Sequence, residues 1–183
     1  MIDAMLRAAT GRRALLAVVA LLIGGSALFR LGPYATVKNA TTSPTLPEEA
    51  VTSPAALTAF LTELDEPTRA AYARFQAWDL FNLVLFGTAG VMLLGWMLKR
   101  AGLGETGWRW LIVLPLGLMV ADLAENGLLS LAIVHFPDSI ATSAALPWVT
   151  GTKFAVVMVM FLALPVLAAV TLVRRIRQRR ADT

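Results

Sequence analysis

The third apolar segment of the chain, residues 110–134, reads WLIVLPLGLMVADLAENGLLSLAIV. Its 25 residues are enough to span a bilayer, yet they include Asp122, Glu125 and Asn126. At helical spacing these positions are i, i+3 and i+4, so the three side chains point to one face of a helix. Ionisable groups in hydrocarbon are costly unless they are paired, hydrated or protonated. The stretch therefore predicts a membrane-spanning helix with a polar spot inside a helical bundle.

Three further apolar segments and the overall composition agree with a membrane protein. The chain is 57% hydrophobic and 15% charged, whereas soluble domains are about 25% charged. A span needs about 20 residues, and Pro115 and Pro165 are expected to kink the third and fourth spans. The predicted fold is all-α, a four-helix transmembrane bundle forming one integral membrane domain over residues 1–183. The predicted spans are residues 14–31, 77–98, 110–134 and 154–173.

Between spans one and two, the sequence predicts an outer loop at residues 32–76 that carries a short helical cap. Residues 32–54 are rich in Thr, Pro, Ser and Ala and are expected to be irregular, with turns. Ser53 and Pro54 then have the types preferred at the N-cap and first position of a helix, which is predicted over residues 55–64. A second helix is expected to start at Asp65-Glu66-Pro67 and to run without a break into span two. Later in the chain, Pro147 and Gly151 are expected to end a loop before span four.

The distribution of positive charge predicts the topology. Lys and Arg residues concentrate in the N-terminus, in the loop at residues 99–109 and in the tail at residues 174–183. Because cytoplasmic loops carry an excess of Lys and Arg, both termini are predicted to be cytoplasmic. The expected location is the plasma membrane, which in a bacterium is the inner membrane. A rival interpretation is a secretory signal with cleavage after Ala27, which would remove the first span.

Six polar side chains from three predicted spans are candidates for a site in the outer half of the bundle. Counting ~1.5 Å per residue from the inner boundary places the span-two and span-three candidates beyond the midplane, and the last candidate lies at the outer mouth of span four. One interpretation is a ligand pocket or proton relay open to the outer side, and the other is a structural network closed by the lysine. The candidate residues are Asp79, Asn82, Asp122, Glu125, Asn126 and Lys153.

The residue types leave three chemistries open for such a pocket. Carboxylate and amide oxygens can hold a hard cation, paired carboxyls can share a proton for acid/base work, and anionic side chains can bind an amine-bearing ligand in an apolar pocket. The chain has no cysteine, which excludes disulfides and thiolate chemistry. No metal ligand set stands out, no catalytic residue can be assigned, and the sequence identifies no cofactor.

Three function classes follow. The first is a multi-pass membrane protein that binds a small molecule, lipid or cation in this pocket. The second is a non-catalytic accessory or scaffold subunit, and the third is a membrane-embedded acid/base enzyme, such as an isomerase or hydrolase, acting on a lipid. The expected partners are the lipid bilayer, a small apolar or cationic ligand and, as an open alternative, a second copy of the chain; no nucleic-acid partner is expected. The layout is similar to that of four-span sterol-isomerase-like proteins, although here the acids lie on spans two and three.

Overall fold

The computed structural model describes residues 1–138 and 140–181, which form helices and connecting turns and contain no strand. The all-α fold predicted from the sequence is therefore confirmed. The helices are α1 (Ile2–Ala8), α2 (Gly11–Leu31), α3 (Pro33–Ala40), α4 (Pro54–Glu63), α5 (Glu66–Arg100), α6 (Leu114–Val134), α7 (Ile140–Ser143) and α8 (Leu146–Ala181), with 3₁₀ turns at Pro47–Glu49 and Gly107–Val113.

Four helical segments are long and apolar enough to cross a membrane. The second and fourth have 35 residues each, which at 1.5 Å per residue is about 52 Å and exceeds a hydrocarbon core of about 30 Å. The chain is thus an integral membrane protein built as a four-helix bundle. The four segments are Gly11–Leu31, Glu66–Arg100, Gly107–Val134 and Leu146–Arg180.

The helices divide between two compact units, and each has its own apolar core. The first, called the tail unit, comprises Met1–Leu21, Leu85–Leu118 and the described part of Ala155–Thr183. The second, called the loop unit, comprises Leu22–Val84 and Met119–Phe154. Every candidate site residue from the sequence lies in the loop unit. The buried core of the loop unit includes Val37, Leu46, Leu57, Leu61, Tyr72, Phe75, Leu129 and Leu146.

The segment between α2 and α5 is more ordered than the sequence predicted. Residues 32–54 were expected to be irregular, but Pro33–Ala40 forms α3 and Pro47–Glu49 forms a 3₁₀ turn. Pro33 is at the start of α3, where proline's fixed φ suits a helix and its missing N–H costs nothing. The signal at Gly32-Pro33 therefore marked a helix start rather than a simple turn.

The predicted helical cap is confirmed. The Ser53 hydroxyl accepts a hydrogen bond from the Ala56 N–H at 3.2 Å, and α4 begins at Pro54. The apolar stripe of α4 is buried in the loop-unit core, with Leu57 and Leu61 fully buried. Asp65 accepts a hydrogen bond from the Thr68 N–H at 2.9 Å, and α5 then runs unbroken to Arg100, as predicted.

Two proline expectations are corrected. Pro115 was expected to kink span three, but it lies in the first turn of α6, directly after a 3₁₀ turn. Proline is tolerated there because the first N–H groups of a helix have no intrahelical partner. Pro147 likewise lies in the first turn of α8 instead of in a loop before it, whereas Pro165 is inside that helix as expected.

Candidate functional site

One face of α5 brings a row of polar side chains into the loop unit. Tyr72, Gln76 and Asp79 are at i, i+4 and i+7, so they share a helical stripe, and all three are buried. The neighbouring Trp78 and Phe81 are 57% and 63% exposed. The helix therefore presents large apolar side chains outward and a polar stripe inward, the reverse of a soluble surface helix.

The polar face of α6 meets this interior. Glu125 is fully buried and Asn126 is 4% exposed, while the Asp122 side chain is 16% exposed. On the opposite side of the helix, Val120 and Leu123 are more than half exposed. The sequence prediction that the three polar residues of this segment share one face therefore agrees with their burial.

The first turns of α8 bind the acids of α6. The Lys153 ammonium lies 3.2 Å from an Asp122 carboxylate oxygen and donates to Glu125 Oε2. The Thr150 hydroxyl donates to the other oxygen of Glu125. Both oxygens of Glu125 are thus satisfied. Thr150 and Lys153 are at i and i+3, and because α8 already begins at Leu146, the two side chains lie on the same face of this helix.

Lys153 also joins the segment between α2 and α5 to this network. Its ammonium donates to the backbone carbonyl of Glu48 at 3.2 Å, across 105 residues of sequence. One cation therefore contacts α6 twice and the 3₁₀ turn at Pro47–Glu49 once.

Asp79 differs from the other spanning acids because its partners are neutral. Its carboxylate accepts hydrogen bonds from Asn126 Nδ2 at 3.0 Å and from Asn82 Nδ2 at 3.3 Å. Among the residues that the structure describes, no cationic group lies within ion-pair distance of Asp79. The structure thus brings all six sequence candidates into two linked groups: Asp79 with Asn82 and Asn126, and Lys153 with Asp122 and Glu125.

Glu48 is a further acid of this interior that the sequence did not single out. Its Oε2 accepts a hydrogen bond from the Tyr72 hydroxyl at 2.5 Å, and its Oε1 is buried without a hydrogen-bond partner. Burial raises the pKa of Glu48 to about 7. The negative charges of Glu125 and Asp79 contribute to this rise, and the hydrogen bonds oppose it. Glu48 thus keeps its proton to a higher pH than an exposed glutamate does.

Gln76 is the least satisfied side chain in the cluster. It is 2% exposed, and neither its Oε1 nor its Nε2 has a hydrogen-bond partner in the described structure. Leaving a buried amide unsatisfied costs about 1–3 kcal/mol per group, so this arrangement calls for a polar partner. The sequence already places Gln76 on one helical face with Asp79 and Asn82, and extending that stripe by one turn would also have identified Tyr72. Nothing local in the sequence marks Glu48 or Thr150.

These residues together form what we call the polar cluster. It holds four carboxyl groups and a single ammonium, so full ionisation would leave a deficit of three positive charges in a largely buried space. Over the described residues, no group of three or more His, Cys, Asp and Glu side chains is arranged to hold a metal ion. The polar cluster consists of Glu48, Tyr72, Gln76, Asp79, Asn82, Asp122, Glu125, Asn126, Thr150 and Lys153.

The chemistry available to the cluster follows from this imbalance. Lys153 pairs with both acids of α6, whereas among the described residues Asp79 and Glu48 form no ion pair and Gln76 has an unused donor and an unused acceptor. A proton or an organic cation can supply the missing charge. Comparisons of the chain with protein-family models, with curated proteins and with solved structures found no match.

Proposed function

We propose that this integral membrane protein binds a small amine-bearing molecule in the polar cluster. Asp79 is the counter-ion of the amine, and Gln76, one turn away on the same face of α5, hydrogen-bonds the polar group of the ligand. The observation that carries the proposal is that one face of α5 holds a buried carboxylate with no cation and a buried amide with no partner among the described residues.

Charge and burial support an organic cation over a free metal ion. A buried ionised carboxylate is costly unless it is paired, and the two amides on Asp79 supply dipoles but no charge. An ammonium group brings the charge and several donors at once. Aromatic side chains of the loop-unit core, including Tyr72 and Phe75, supply the apolar surroundings in which such ligands bind.

A panel of small amines tests this proposal on the full chain in detergent or nanodiscs. The probes are n-butylamine, spermidine and tetramethylammonium, with neutral n-butanol as the reference. A ligand at 100 times its Kd stabilises a protein by about 2.7 kcal/mol, which corresponds to roughly 5–10 °C in melting temperature for a chain of this size. We expect at least one amine, and not butanol, to produce such a shift.

Two substitutions separate ligand binding from structure. Asp79→Asn keeps the size of the side chain and its ability to accept from Asn126, but removes the charge, so the amine-dependent shift should vanish. Gln76→Leu removes an unsatisfied amide, so it should raise the melting temperature of the ligand-free protein while weakening amine binding at least tenfold. Glu63→Gln is the matched control, because Glu63 is an exposed acid that bonds Thr41 in the outer loop. An amine shift that is absent from the wild type, or unchanged in Asp79→Asn, contradicts the proposal.

A second candidate function is an accessory or scaffold subunit in which the cluster only holds the fold. The contacts of Lys153 with Asp122, Glu125 and the Glu48 carbonyl favour it, since they tie two spans to the outer loop. In this case every amine would leave the melting temperature unchanged. Gln76→Leu would still stabilise the protein and would not affect any cellular phenotype.

The proposal includes the topology of the chain, because a ligand from outside must be able to reach the polar cluster. The distribution of Lys and Arg supports a topology with both termini in the cytoplasm and the polar cluster in the outer half of the membrane. An alkaline phosphatase fusion inserted between residues 41 and 46 should be active, while one at residue 183 should be inactive. Green fluorescent protein fusions should give the opposite pattern. Two fusions reporting the same side would overturn the four-span topology, and with it the access of the cluster from outside.

A further inference from the structure

A groove on the tail unit combines two arginines with an aromatic and apolar floor. Its volume is about 310 Å³, and its lining includes Trp96, Arg100, Leu172 and Arg175. We propose that this groove binds the headgroup of an anionic phospholipid, with the two guanidinium groups on the phosphodiester and the apolar floor against the glycerol and upper acyl chains.

The charge of the groove is uncompensated. Neither Arg100 nor Arg175 forms an ion pair within the described part of the chain. The surrounding unit is strongly basic, since its residues 1–21, 85–118 and 155–181 hold eleven Lys and Arg but only Asp3 and Glu105 as acids. Guanidinium groups are planar donors that match phosphate oxygens in pairs, so the groove is suited to an anion of this geometry.

The position of the groove selects a lipid over a free anion. Arg100 is the last residue of α5, and Arg175 lies two residues after the last apolar segment of α8, which ends at Val173. The Arg100 guanidinium lies 5.5 Å from the centre of the Trp96 ring, and tryptophan is enriched where a span meets the headgroups. Basic grooves between spans at this depth are typical sites for anionic headgroups. Free phosphate would gain nothing from the apolar floor.

Native mass spectrometry of the full chain, released from nanodiscs, tests the assignment. The nanodiscs contain phosphatidylcholine with 30% phosphatidylglycerol, and the measured quantity is the ratio of the two lipids retained on the protein. We expect the wild type to retain one phosphatidylglycerol with at least tenfold preference. Arg100→Gln combined with Arg175→Gln should reduce the preference at least tenfold. Arg177→Gln is the control, because Arg177 is an exposed arginine of the same helix outside the groove lining.

Three outcomes would overturn the assignment. The first is a wild type that retains both lipids equally, and the second is a double variant that keeps the preference while melting at the wild-type temperature. The third is displacement of the lipid by 50 mM inorganic phosphate, which would identify a free-anion site. Because Arg100 and Arg175 are both exposed, the variants are expected to fold. Replacing both arginines by Lys gives a second variant that keeps the positive charge but loses the planar guanidinium groups. This variant should retain part of the preference.

Discussion

Replacing Lys153 by Met should lower the free energy of unfolding by about 3–5 kcal/mol, the cost of breaking a buried ion pair from one side. The ammonium is the only cation within ion-pair distance of Asp122 and Glu125 among the described residues. Without it, Glu125 would be a fully buried carboxylate with only the Thr150 hydroxyl as a partner. Thermal melting of the purified protein should show a decrease of roughly 6–20 °C.

A second lysine of the loop unit provides the control. Lys38 pairs with Glu49 at 3.1 Å, but both side chains are about one third exposed, so Lys38→Met should cost no more than about 1 kcal/mol. Adding Asp122→Asn and Glu125→Gln to Lys153→Met removes the charges that were left unpaired and should recover most of the lost stability. Equal effects of Lys153→Met and Lys38→Met would show that the buried pair contributes little.

Features with local signals were predictable from the sequence. Hydrophobic runs of the right length identified the spans, and Ser53-Pro54 and Asp65-Glu66-Pro67 identified two helix starts because capping chemistry is encoded within a few residues. The helix at Pro33–Ala40 was missed although Pro33 is at its start. Its composition is only weakly apolar, so no periodic stripe accompanied the signal. Pro147 was misread for a related reason, since proline is found both in loops and in the first turn of a helix.

The candidate site, like the fold, was predictable only where the sequence carries a local signal. Asp122, Glu125 and Asn126 could be placed on one face because helical periodicity is a local property. Their partners could not be assigned, since choosing between Lys153 and an open cavity needs tertiary contacts. The sequence pattern favoured Asp122 and Glu125 as the centre of the site, whereas in the structure these two acids share Lys153 and Asp79 forms no ion pair among the described residues.

The contacts of Glu48 show why the rest of the cluster was not visible. Its hydrogen bonds reach Tyr72 and Lys153, which are 24 and 105 residues away. A single acid in an outer loop has no periodicity that would indicate burial, and most such residues are solvated. Long-range contacts of this kind are fixed by the packing of the loop, which depends on buried residues such as Leu46 and Val37.

Glu48 should make the protein less stable as the pH rises from mildly acidic values to neutrality. Its pKa is about 7 in the folded protein, against an ordinary value of 4.5. Between these two values the unfolded chain has lost the proton while the folded protein retains it. Stability therefore falls as the pH rises from about 4.5 to about 7 and levels off above. At 1.36 kcal/mol per pKa unit, the loss amounts to about 3 kcal/mol.

Glu48→Gln should remove this dependence because an amide does not titrate. The amide oxygen can still accept the Tyr72 hydrogen bond, and the negative charges of Asp79 and Glu125 no longer face a third carboxylate. Melting curves of the variant and the wild type should coincide near pH 4.5 and separate progressively up to pH 8, where the variant is more stable. A variant that is less stable than the wild type at pH 8 would show that ionised Glu48 is stabilised by its surroundings.

Glu49→Gln is the control for this pH series, because the pKa of this neighbouring acid is shifted in the opposite direction. Burial acts to raise the pKa of Glu49, but hydrogen bonds from Tyr34, the Leu46 N–H and Lys38 outweigh it and hold the pKa below the ordinary value. Ionised Glu49 therefore stabilises the fold above its unfolded-state pKa, and this contribution is lost as the pH falls. Glu49→Gln should be less stable than the wild type at pH 8 and approach it in acid. Adjacent acids in one 3₁₀ turn would then shift stability in opposite directions, because burial outweighs the hydrogen bonds at Glu48 whereas the hydrogen bonds outweigh burial at Glu49.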